Sequence, residues 1–154
     1  MIDPIVRVAV VSDCAELARL ESLARGGIAD VRGGALRLQE CQQVDDWAAL
    51  VDDPDSRVFV GEIDAVVVAY AVLRLDARRD RGIISHAYVE IEARELGFGD
   101  TMIEFAIAAV RGAGLTGIEA TALPGDRETK NLFERAGLTA RKLTVYKSLG
   151  NSSE

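Results

Sequence analysis

Two periods of apolar recurrence run along this chain, and together they predict its elements. Ile5 to Val11 is a Val-rich run that reads as a first strand. Leu17, Leu20 and Ala24 then recur on one helical face, after Ser12 and Asp13 as cap residues with Glu16 as capping-box partner. Gly26-Gly27 is expected to stop that helix, and residues 28–43 give no clear pattern. Asp45 to Val51 predicts a short helix closed by Asp53-Pro54-Asp55. Three strands follow at Val58 to Ile63, Val66 to Leu75 and Ile83 to Val89, with turns at Glu62 to Ala65 and Asp76 to Gly82. The unbroken apolar run from Ala65 to Leu73 suits a central strand covered on both faces. Gly99 to Val110 carries Met102, Ile103, Ala106, Ile107 and Val110 at helical spacing. A strand at Gly117 to Ala122, a helix at Asp126 to Ala136 stopped by Gly137, and a last strand at Arg141 to Leu149 complete the order. The expected fold class is α/β, with a mixed sheet and a β-α-β-α-β tail.

Length and composition narrow the class. At 154 residues, 49% apolar and 28% charged, the chain suits one soluble domain over residues 1–149, with 150–154 as a loose tail. No apolar run is long enough to span a bilayer, so no membrane partner is expected. The start Met1-Ile2-Asp3-Pro4 lacks the basic and apolar stretches of a signal peptide, which makes the cytoplasm the expected compartment. Cys14 and Cys41, with no CxxC, and a lone His86 do not make a zinc pattern, so no metal is expected. The net charge of −7 argues against a nucleic-acid partner, because phosphate contacts need a basic face. Residues 126–149 nevertheless hold six basic residues against three acidic ones, so a basic end sits on an acidic body. That body, with Asp45, Asp46, Asp52, Asp53 and Asp55 as its densest group, suits gathering of a cationic substrate, or a plain solvated surface.

The most informative segment runs from Val89 to Asp100. A strand ends, a Gly-containing turn follows, and a long helix begins, so free helix-start N–H groups and the helix dipole form an anion site. Gly97 and Gly99 let the backbone approach a phosphate, and Arg94 adds a full charge. The P-loop is excluded by the absence of Gly-Lys-Ser/Thr, and a Rossmann fingerprint by the absence of a third Gly after a β-α-β entry. Val89, Arg94, Gly97 and Gly99 in this spacing resemble the Arg-x-x-Gly-x-Gly signature of the GNAT N-acetyltransferase superfamily. The block Asn131-Leu132-Phe133-Glu134-Arg135-Ala136-Gly137-Leu138 resembles that family's penultimate helix, and the element order agrees along most of the chain.

The resemblance implies a mostly antiparallel central sheet flanked by helices, with two strands splayed to admit coenzyme A. It implies that Arg94, Glu95, Leu96, Gly97, Phe98, Gly99 and Asp100 cradle the pyrophosphate of acetyl-CoA as co-substrate. Ala87, Tyr88 and Val89 would offer backbone groups to pantetheine and to the thioester carbonyl. Asp126 holds the place of the family's CoA-contacting Asn; Asn131 lies nearby, and Lys130 and Arg127 could meet the 3′-phosphate. The implied reaction is direct transfer of acetyl to a primary amine, small molecule or protein. The family's base is commonly a Glu on the fourth strand, where this chain has Ser85. His86 stands one position off and becomes a base or water-orienting residue if a bulge turns it inward, or else a buried, hydrogen-bonded histidine. The family's proton-donating Tyr aligns with Phe133, leaving Tyr146 as a weak substitute. These departures keep open an alternative, a degenerate acyl-CoA-binding sensor or interaction module. Trp47 and residues 24–43 are expected to line or cover the acceptor side, made mobile by Gly26-Gly27 and Gly33-Gly34. A homodimer is left open.

Overall fold

The computed structural model describes residues 5–150; the rest of the expected tail lies outside the described residues. Five strands form one sheet in the order β1-β2-β3-β4-β5: β1 Ile5–Val8, β2 Ser56–Ile63, β3 Val66–Asp76, β4 Arg81–Val89 and β5 Gly117–Ala120. The first four pair antiparallel, and β4 pairs β5 in parallel. The helices are α1 Cys14–Ile28, α2 Gly34–Glu40, α3 Trp47–Asp52, α4 Phe98–Gly112 and α5 Arg127–Arg135. Among the described residues no helix is long and apolar enough to cross a membrane.

The pleat sends alternate side chains to two cores. Phe59, Ala69, Ala71, Leu73 and Ile84 pack on one face against Phe98, Met102, Ile103, Ala106 and Val110 of α4 and Phe133 of α5. Val58, Val60, Tyr70 and Val72 pack on the other against Leu17 and Leu20 of α1 and Trp47 of α3. The central strand β3 is therefore covered on both sides, as its unbroken apolar run requires.

Three local expectations fail for identifiable reasons. Gly26-Gly27 does not stop α1, which runs on to Ile28, because both glycines sit in open space on a helix already nucleated by a long apolar stripe. The capping box at Ser12, Asp13 and Glu16 is not made. Asp13 accepts from the Val10 N–H at 2.8 Å and takes a two-pronged ion pair from Arg7 at 2.7 and 2.9 Å. A buried carboxylate gains more from a guanidinium fork than from a single cap bond. The last strand, Arg141 to Leu149, does not join the sheet: this segment is exposed and without strand pairing, and Arg141 ties it to Glu119 of β5 at 3.1 Å. Alternation makes a segment fit to be a strand, but only a partner edge makes it one.

Candidate active site

The site grows from two features of β4. The pairing of β3 and β4 slips by one residue, so that Val72 faces His86 but Leu73 faces Ile84, and Ser85 is the extra residue. This bulge resets the alternation. Ile84 and Ala87 face the α4 core, while His86 and Tyr88 turn towards α1 and Tyr70. At the same point β4 loses β5: pairing stops at Ile84 and Ala120, and Ser85 to Val89 have no strand on that side among the described residues. Glu90 N–H bonds to Val68 O at 2.9 Å. By antiparallel alternation the main chains of Tyr88 and His86 also address β3, whereas those of Ala87 and Val89 address the gap. Of the three expected backbone positions, Tyr88 is thus spent on the sheet.

The gap opens into a cleft. Its walls come from Ser85, His86 and Ala87, from Thr121 to Leu123 beyond β5, from α1 and α2, and from Asp126, Thr129 and Phe133 of α5.

His86 is held on two sides. Its Nε2 lies 3.5 Å from Glu21 Oε2, and its Nδ1 lies 3.0 Å from Ser85 Oγ. With the Nε2 hydrogen aimed at Glu21, Nδ1 is the acceptor and the Ser85 hydroxyl donates. Glu21 is 1% exposed and is fixed in turn by the Val44 N–H, at 3.3 Å to Oε1 and 3.1 Å to Oε2. The imidazole packs edge-on to Trp47, with ring centres 6.3 Å apart, and against Tyr70 at 5.9 Å. Burial lowers the His86 pKa below 6.5 and outweighs the opposing pull of Glu21, so the ring is neutral at pH 7. Burial pushes the Tyr70 phenol up, which keeps its proton in place.

Sequence reading missed Glu21, although a signal was present. Positions 17, 20, 21 and 24 form one stripe of α1, and Glu21 is the charged residue within it. Charged groups are almost never fully buried unless paired. Tyr146 is 68% exposed on the C-terminal segment and is not among the residues lining the cleft.

At the end of β4 the chain makes the turn that the glycines required. Gly97 caps α4 with φ of 90°, and Glu95 also takes a left-handed conformation with φ of 70°. Among the described residues the N–H groups of Gly97, Phe98, Gly99 and Asp100 make no hydrogen bond. Four consecutive free donors at a helix start form an anion cradle. The Phe98 side chain is buried beneath it. Gly99 has a further reason to be glycine: an added Cβ would stand 3.0 Å from Leu132 Cδ1 on α5. Arg94 flanks the cradle, donating to Val89 O at 2.9 Å, lying 5.7 Å from the Tyr88 ring centre and pairing with exposed Glu128 at 2.7 Å. That surface pair is weak, about 0–1 kcal/mol, and easily exchanged for a phosphate.

Family-model comparison matches residues 28–138 to the acetyltransferase (GNAT) family. The chain belongs to the GNAT family. The fold of this GNAT domain is shared with solved structures of low identity. The tetramutant of the BH1408 protein of Bacillus halodurans superposes with a TM-score of 0.76 at 21% identity, covering 94% of this chain and 99% of that one. The ribosomal-protein-alanine N-acetyltransferase of Brucella melitensis gives 0.69 at 14% identity, covering 96% and 99%. AAC(6')-Iy, in complex with the bisubstrate analogue CoA-S-monomethyl-acetylneamine, gives 0.70 at 12% identity, covering 94% and 97%. No curated protein matches the chain in sequence.

Within this GNAT domain the structure brings His86, Ser85 and Ala87 together with Asp126 around one cleft. Lys130 and Asn131 lie on the exposed side of α5, and Lys130 pairs with Glu134 at 3.6 Å. Asp126 accepts from the Thr129 N–H at 3.2 Å and from its hydroxyl at 2.6 Å, so its carboxylate caps α5. Asp126→Ala should cost about 0.5–2 kcal/mol of stability, read in urea melts. An acetyl-CoA affinity loss larger than that would instead give the carboxylate a ligand role. Among the described residues no group of three or more His, Cys, Asp or Glu is placed to hold a metal ion.

Proposed function

We propose that this GNAT domain transfers acetyl from acetyl-CoA to a primary amine by direct attack, with His86 as base and Glu21 as the residue that positions it. One observation carries this reading: the strands part beside a neutral, two-sidedly held imidazole, and the same strand ends in a cradle of free donors. Diphosphate at residues 94–100 leads pantetheine along Ala87 and Val89 and brings the thioester to His86. The amine nitrogen attacks the carbonyl carbon. The C–N bond forms, the C–S bond breaks, and its electron pair leaves on sulfur. The amine proton passes to His86 Nδ1, through Ser85 Oγ or a water. A backbone N–H of the gap stabilises the oxyanion, an effect worth about 10²–10³ in rate. Thiolate, with a parent pKa near ~8.5, departs without a dedicated acid.

Buried Phe133 at the cleft wall favours the second reading, an acyl-CoA-binding module. A thermal shift with acetyl-CoA tests binding, and thiol release across an amine panel tests turnover. Shift with release supports the enzyme, shift without release the module, and neither result refutes both.

The histidine also sets a pH dependence. Its folded pKa lies below the unfolded value near ~6.5, so between the two the unfolded chain takes up a proton that the folded chain refuses. Stability is therefore lost as pH falls below about 6.5 and levels off once folded His86 titrates. Urea melts at pH 7 and pH 5.5 should show this loss in the wild type and a smaller one in His86→Gln.

A further inference from the structure

Two guanidiniums stand at the α1–α2 side of the cleft. Arg25 of α1 and Arg37 of α2 both line it. Arg25 donates to two neutral carbonyls, Cys41 O at 2.7 Å and Leu38 O at 3.3 Å, and so fastens α2 to α1 as a wall. Arg37 is half-buried, and its side chain makes no hydrogen bond or ion pair among the described residues. Neither nearby carboxylate pairs with Arg37: Asp126 of the lining accepts from Thr129, and Glu21, buried behind His86, accepts from the Val44 N–H. Both guanidiniums stand close enough to His86 to disfavour its protonation. A half-buried guanidinium with no partner of its own can hold a planar anion by a fork of N–H donors.

We infer that the acceptor is an amine that also carries an anionic group, a carboxylate or phosphate, which Arg37 receives while the nitrogen faces His86. This rests on the acetyltransferase reading, names its substrate class, and reverses the expectation of a cationic acceptor. The chain's acidic residues then form its outer surface rather than its selectivity.

The test uses matched acceptors: lysine against cadaverine, phenylalanine against phenethylamine, and phosphoethanolamine against ethanolamine. The wild type should prefer the anionic member of a pair by about tenfold or more in kcat/KM, the size of one charge-assisted contact. The amino-acid and phosphate pairs distinguish the two anions. Arg37→Ala should erase the preference, Arg37→Lys should restore part of it, and Arg37→Glu should invert it. Thermal shift with N-acetyl-phenylalanine against N-acetyl-phenethylamine reads the same subsite without turnover. Stabilisation by the acid alone, lost in Arg37→Glu, supports the inference. Turnover or binding with no preference for the anion overturns it while leaving the acetyltransferase reading intact. Absence of an acetyl-CoA shift overturns that reading, whatever the acids do.

Discussion

His86→Gln is expected to lower kcat by about 10²–10⁴, the usual worth of a positioned general base, while the Kd for acetyl-CoA changes less than threefold. Glutamine keeps a polar group against Glu21 but cannot take a proton at neutral pH. The geometry explains why the loss should fall on turnover. The imidazole touches Glu21, Ser85, Trp47 and Tyr70, of which Glu21 and Trp47 are buried behind the cleft wall, and none belongs to residues 94–100. Burial already lowers the His86 pKa, so the wild type loses no base to protonation at pH 7. Stopped-flow or endpoint thiol release with saturating acetyl-CoA, beside calorimetric binding, separates the two quantities. A kcat within threefold of wild type would give catalysis to another group and return His86 to a packing role. A fall in melting temperature with unchanged kcat would point the same way.

Gly61→Ala should damage the proposed cofactor cradle from beneath. An added Cβ would stand 2.5 Å from Cδ1 of Phe98 and 3.2 Å from Cβ of Ala69. Phe98 is 1% exposed and is the first residue of α4, directly after the left-handed Gly97. The ring has no free space to swing into, so the strand or the helix start must shift. Overpacking of this kind costs about 1–3 kcal/mol. In a chain of this size that lowers Tm by roughly 2–4 °C per kcal/mol. Because the shift falls on the first turn of α4, the Kd for acetyl-CoA should rise as well, by about tenfold. Phe98→Leu in the Gly61→Ala background should recover both. If the single variant melts and binds as the wild type does, Phe98 is not the support of the cradle.

The fold and the glycine turn at residues 94–100 are legible in the residues because both are local signals. Strands β2 to β4 announce themselves through apolar runs and turn residues, and α4 through an apolar stripe. The cradle follows from Gly97 and Gly99 at a strand-to-helix junction, where backbone conformation depends on the residues of the turn itself. The family resemblance rested on the same few positions. The strand expected at Arg141 to Leu149 does not form, because local sequence says nothing about whether a sheet edge is free to receive it. Gly26-Gly27 misled in the opposite direction, since two glycines weaken a helix without ending one that packing sustains.

What the sequence by itself determined, then, is the order of elements and the chemistry a strand-to-helix turn offers to phosphate. Only the tertiary structure joined Glu21 to His86 across 65 positions of chain and set Arg25 and Arg37 beside them. The one-residue slip at Ser85 decided which face His86 occupies, and neighbouring strands fix that register. Local turns are encoded by a handful of adjacent residues. A proton-transfer site depends on distances between elements, and those are settled by how two cores pack against one sheet.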